Sequence, residues 1–112
     1  MLQSIGKALT AGGTTKLFTV PDGFMAVVEL IRVTNGAGGS HDFSITWNNG
    51  TAVLVYPTTS LASKSTYTFG EKNERLVLRE GDDISLTASA SSDLTAIATL
   101  DIIRTEKTPY NL

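Results

Sequence analysis

The segment Asp42–Asn48, DFSITWN, alternates residue by residue: Phe43, Ile45 and Trp47 project one way, Ser44 and Thr46 the other. A helix would scatter these apolar groups around its circumference; a strand collects them on one face. The same two-residue period returns in Ser65–Gly70 through Tyr67 and Phe69. It returns again in Ile84–Ala90, where Ile84, Leu86, Ala88 and Ala90 share a face, and in Leu94–Thr105 through Leu94, Ala96, Ala98, Leu100 and Ile102. Turn chemistry separates the runs. Pro21 pre-sets the turn in PDG at 21–23 and Gly23 supplies positive φ, and Asn49-Gly50 suits a primed hairpin turn. Glu71–Glu74, Glu80-Gly81 and SSD at 91–93 punctuate the later runs.

Composition agrees with strands. Sixteen threonines and ten serines stand against five lysines and five glutamates, and Thr suits a pleated surface better than a helix. The remaining predicted strands are Thr14–Val20, Phe24–Asn35, Thr51–Tyr56 and Arg75–Arg79, with Pro57 to Lys64 a polar loop. The expectation is an all-β chain: an antiparallel β-sandwich of about eight strands, jelly-roll-like, with a closed barrel as the alternative the pattern leaves open. At 112 residues it forms one domain, with segments 1–13 and 106–112 expected as extended arms able to add as strands to a partner's sheet edge.

Two strands carry more apolar residues than one buried face requires. In Phe24–Asn35, Met25, Val27, Ile31 and Val33 occupy one face, and Phe24, Ala26, Val28 and Leu30 the other. In the last strand Ile97 and Ile103 oppose the inward set. Either a bulge switches the register or a terminal segment covers the face, or these residues form a contact surface. On the contact-surface reading the partner-binding residues are Met25, Val27, Ile31, Val33, Ile97 and Ile103.

Chemistry is sparse. A net charge of −2 and a pI near 5.2 give no attraction to nucleic acid or an anionic membrane, and the eight aromatics are not interleaved with basic residues. The most apolar stretch, Phe24–Val33, is interrupted by Glu29 and Arg32 and is too short to span a bilayer. The opening MLQSIGKALT lacks the basic-then-apolar order of a secretory signal. Without cysteine and with one histidine, His41, a zinc site lacks ligands, and His41 has no nucleophile motif to serve. Glu80, Asp82 and Asp83 crowd around Gly81, but REGDDIS lacks the alternate-position spacing of a calcium loop. The cluster reads as a turn, with Asp82 bonding nearby backbone N–H groups. Tyr56, Trp47 and Tyr67 are residue types that line sugar sites, but Trp47 alternates with Phe43 and Ile45 and reads as core; Tyr56, Tyr67 and Tyr110 are the candidates for an exposed sugar-binding platform. No cofactor, metal or catalytic residue is expected.

Three stretches carry a family resemblance: LFTVPDGFMAVVELIRVTNG, RLVLREGDDISLTASA and LTAIATLDIIRT. Together they resemble small virion structural proteins of tailed bacteriophages. The matching positions are Thr19, Val20, Pro21 and Gly23; Ala26, Val27, Val28, Ile31, Val33 and Asn35; and Leu76, Val77, Leu78, Gly81, Asp82, Ile84, Leu86, Ala88 and Ser89. The resemblance implies a sandwich that works by binding, without catalysis. It implies a capsid decoration (cement) protein on the outer surface of the head, bridging subunits of the major capsid protein, and a homo-oligomer for which a trimer is one arrangement. A tail- or fibre-associated protein, or a carbohydrate-binding module, are the alternatives.

Overall fold

The computed structural model describes residues 1–89 and 93–105. Among them lie nine strands and no helix: β1 (Leu2–Ala8), β2 (Thr14–Thr19), β3 (Phe24–Asn35), β4 (His41–Asn48), β5 (Ala52–Leu61), β6 (Thr66–Phe69), β7 (Leu76–Leu78), β8 (Asp83–Ala88) and β9 (Leu94–Arg104). They form two antiparallel sheets. One runs β1-β9-β3-β6, with β7 also paired to β3; the other runs β2-β8-β4-β5. The chain crosses between the sheets at almost every connection. Only the β4–β5 hairpin and the β6–β7 step stay within one sheet, which is the winding of a jelly roll. Residue 90 at the end of the strand predicted over Ile84–Ala90, residues 91 and 92 of the predicted SSD turn, and the tail at 106–112 with Tyr110 lie outside the described residues.

The core sits between the two inner faces. Phe43 and Ile45 of β4 and Ile84 and Leu86 of β8 meet Ile31, Val33, Ala98 and Leu100 from the facing sheet, all essentially without solvent exposure. Truncating one such large side chain to alanine costs about 2–5 kcal/mol.

The doubled apolar pattern of β3 resolves at Glu29. Val28 pairs with Leu100 and Leu30 with Thr99, so Glu29 is an extra residue, a β-bulge against β9. Before it, Ala26 and Val28 face the core; after it, Ile31, Val33 and Asn35 do. One inserted residue reverses every side chain beyond it. Ile31 and Val33, expected on a contact surface with Met25 and Val27, are therefore core residues.

The same point divides the edge of β3 between two partners. β6 pairs with it beyond the bulge (Ile31↔Phe69) and β7 before it (Val28↔Leu76). Gly70 ends β6 at φ +104 against the bulge, where an added Cβ would lie 2.2 Å from the Glu29 carbonyl oxygen. Arg75 closes the arrangement in an ion pair, its Nε 2.9 Å from Glu29 Oε1.

Two further departures from expectation have local causes. Residues 1–13 do not form a free arm: β1 pairs with β9 from Leu2↔Asp101 to Ala8↔Thr95. Ile5 alternates inward there, a weak signal in a segment with few apolar residues. The strand predicted to stop at Tyr56 runs on to Leu61. Register shifts beside Ile45 absorb Pro57, which β5 tolerates because it is an edge strand.

Asn35 fixes the far end of β3. Fully buried, it donates from Nδ2 to the carbonyls of Gly39 (2.9 Å) and Leu61 (2.9 Å) and accepts at Oδ1 from the Ala37 N–H (2.9 Å). It ties the loops on either side of the hairpin to the central sheet.

Gly70→Ala should lower unfolding stability by about 2–4 kcal/mol in urea titrations, since it combines left-handed strain with a backbone clash. Gly38→Ala, at a position where a Cβ meets nothing within 4 Å, should shift it by less than about 0.5 kcal/mol.

Candidate functional site

The acidic turn is built as a clamp. Arg79–Asp83 connects β7 to β8, and Gly81 takes φ +84 at its apex. The Gly81 N–H donates to the Val20 carbonyl (2.9 Å), and the Val20 N–H donates to the Asp82 carbonyl (2.9 Å). The three carboxylates diverge. Glu80 Oε2 accepts from the Gly23 N–H at 3.1 Å, tying this turn to the PDG turn. Asp82 Oδ2 accepts from the Arg79 N–H (3.1 Å), as the sequence suggested, and from Trp47 Nε1 (3.1 Å). Asp83 Oδ1 accepts from Asn48 Nδ2 (2.7 Å) and the Ser85 hydroxyl (3.2 Å), while its Oδ2 lies 3.6 Å from Lys16 Nζ. Carboxylates spent on separate donors do not converge on a cation. No group of three or more His, Asp or Glu side chains suited to a metal occurs among the described residues. His41 has the Ser89 hydroxyl at 3.5 Å from Nδ1, at the edge of hydrogen bonding.

The aromatic candidates separate into two places. Tyr56 and Tyr67 stack on one another, ring centroids 4.1 Å apart, and both lie against Phe43 at 5.4 and 5.7 Å. Their ring faces are largely occupied by each other and by the core. Burial, then the neighbouring Tyr56 and Glu74, push the Tyr67 phenol above its ordinary 10.0. Trp47, expected in the core, is half-buried at the end of β4. It lines a cleft of about 430 Å³ with Asn49, Val77, Arg79 and Asp82.

A further apolar surface is the outer face of the β1-β9-β3 sheet. Ile103 pairs with Met25 and Asp101 with Val27, Val27 pairs in turn with Val77, and Thr99 pairs with Leu30. Ile97 lies farther along β9, opposite Arg32. Ile97 is 46% exposed, Ile103 40% and Val77 51%, while Met25 and Val27 are half-buried. The structure thus unites Met25, Val27, Ile97 and Ile103 of the expected set and removes Ile31 and Val33. It adds Val77 and Leu30, which sequence reasoning missed. The surplus residue in β3 was the available signal for Leu30; a three-residue strand offered too short a period to orient Val77.

No family model matches the sequence, and the comparison with curated proteins finds no match. Solved structures do share the fold. A protein of the Bacillus endospore appendages, which form disulfide-linked pili, superposes with a TM-score of 0.57 at 13% identity, covering 95% of this chain and 87% of that one. The globular domain of zebrafish complement 1qA superposes at 0.52 and 12% identity, covering 94% and 98%. A chain of the virus-like particle of Macrobrachium rosenbergii extra small virus does so at 0.50 and 15% identity, covering 96% and 79%. The fold is a jelly-roll β-sandwich.

Asp82→Ala leaves the Trp47 and Arg79 N–H groups without their acceptor. It should cost about 1–3 kcal/mol in denaturant titrations. In the pH dimension, Tyr67 is neutral when protonated and its folded-state value is raised. The unfolded chain therefore loses this proton first, at pH near 10.0, and binds fewer protons than the native state above that. Its stabilising contribution is full below pH 10 and declines as pH rises toward the folded-state value. Tyr67→Phe should flatten the alkaline fall in unfolding free energy; an unchanged slope would remove Tyr67 as its source.

Proposed function

We propose that this chain is a virion structural protein of a tailed bacteriophage, a decoration protein that binds the outside of the head and bridges capsid subunits. The observation that carries the reading is the apolar outer face around Met25, Val27, Ile97 and Ile103, on a sandwich whose Glu80, Asp82 and Asp83 are committed to holding its turns. An exposed apolar strip on a sheet is the mark of a contact surface. Its charged residues are Asp101, ion-paired to the N-terminal ammonium at 2.8 Å, and Arg32, which pairs with Ile97. The matched stretches of sequence favour the phage setting, and a jelly roll of similar winding in a viral particle is compatible with it.

The physical logic is multiplicity. A clamp repeated over a shell need bury only moderate area per copy, because each neighbour already bound raises the effective concentration of the next contact. We assign the apolar face to contact between copies of this chain, leaving turns and edges for the capsid subunit. A trimer is one arrangement that satisfies this.

Two measurements test the reading. Quantitative mass spectrometry of the purified virion should give this protein at one copy per major capsid subunit or a simple fraction of it; a handful of copies would move it to the tail, and absence would remove the virion role. In sedimentation velocity, Ile97→Lys combined with Ile103→Lys should shift the oligomer to monomer, with about a tenfold or greater loss of association. An unshifted oligomer would show that copies meet elsewhere.

A further inference from the structure

We infer that the cleft at Trp47 is a binding site for a neutral pyranose unit of a glycan. Four parts of the chain converge on it: Trp47 from the end of β4, Asn49 from the β4–β5 turn, Val77 from β7, and Arg79 and Asp82 from the β7–β8 connection. Its volume of about 430 Å³ falls in the range of roughly 300–1,000 Å³ that small-ligand sites occupy.

The lining has the two chemistries a sugar requires. A pyranose offers an apolar patch of C–H bonds and a rim of hydroxyls that both donate and accept. Trp47 supplies a large aromatic surface, and it is held in place: its Nε1–H is spent on Asp82 Oδ2 at 3.1 Å. Asp82 supplies the acceptor. Its side chain belongs to a residue only 9% exposed, and one oxygen takes both hydrogen bonds, from Trp47 and from the Arg79 N–H. Oδ1 has no hydrogen-bond partner among the described residues, and a hydroxyl satisfies a buried carboxylate oxygen of this kind. The donors come from opposite. Asn49 uses its Oδ1 on the Thr51 N–H (3.2 Å), leaving Nδ2 to donate. The exposed Arg79 guanidinium has no carboxylate within ion-pair distance among the described residues. Acceptor-only Asp82 against donor-only Nδ2 and guanidinium suits hydroxyl groups, which can answer both. One positive and one negative charge across the cleft balance, which gives a charged ligand no net attraction over a neutral one.

The site differs from the tyrosine platform anticipated from the sequence, since Tyr56 and Tyr67 stack on each other. It borders the outer sheet face, with which it shares Val77. A decoration protein with such a cleft would hold the particle to polysaccharide on a cell surface, many weak sites acting together.

Trp47 is the only tryptophan of the chain, so its fluorescence reports this cleft alone. The intact protein is titrated with the methyl glycosides of glucose, galactose, mannose, N-acetylglucosamine and N-acetylgalactosamine, with methyl glucuronide as the charged comparison. At least one neutral glycoside should change the emission saturably, with half-saturation in the millimolar range. Arg79→Ala and Asn49→Ala, at exposed positions, should each weaken it about tenfold, and Arg79→Ala, which keeps its backbone bond to Asp82, should do so with the unfolding transition in place. No saturable change with any neutral glycoside, a response to the glucuronide alone, or binding that survives both substitutions would overturn the assignment.

Discussion

The β-bulge at Glu29 is the constraint on which the rest of the molecule depends. β3 is a central strand of its sheet and is twelve residues long, with apolar side chains on both faces of a regular ladder. A straight strand would have to expose Ile31 and Val33 or Ala26 and Val28. The extra residue lets both pairs face the core and turns Met25 and Val27 outward instead. The bulge also sets where the neighbours meet β3: β6 on one side, β7 on the other, with Gly70 packed where no side chain fits.

Both candidate surfaces follow from that arrangement. The outer apolar face exists because the strand before the bulge points its odd residues away from the core. The Trp47 cleft exists because β7 docks only on the early half of β3. Its following turn, Arg79–Asp83, can then reach across to the end of β4. Asp82 does the joining, with a backbone N–H of its own turn and the indole of the other sheet on one oxygen.

Much of this was legible in the sequence. Period-two alternation placed eight strands, several with ends within a residue or two of the observed ones, because one-sided burial writes itself directly into residue order. PDG and the acidic turn read correctly as turns, Gly23 and Gly81 both taking positive φ. Other features are not local and were not legible. β1 was hidden because an edge strand with one inward apolar residue, Ile5, carries almost no period. The division of Met25 and Val27 from Ile31 and Val33 depends on which residue bulges, and that is fixed by β9, β6 and Gly70 rather than by β3 itself. Trp47 obeyed its alternation yet sits at the open end of the sandwich, where an inward direction leads to a cleft instead of the core.

Hydroxyl-radical footprinting of the free, dissociated chain and of the assembled particle tests the central claim most directly, with oxidation read by mass spectrometry at Met25, Ile97 and Ile103. These side chains are accessible on the isolated sandwich to different degrees, Ile97 most clearly at 46%. The account predicts that all three lose most of their oxidation on assembly, while exposed Leu54 on the opposite sheet's edge strand sets the comparison. Undiminished oxidation of Met25, Ile97 and Ile103 in the particle would contradict it, and would leave the outer face of the β1-β9-β3 sheet without a partner.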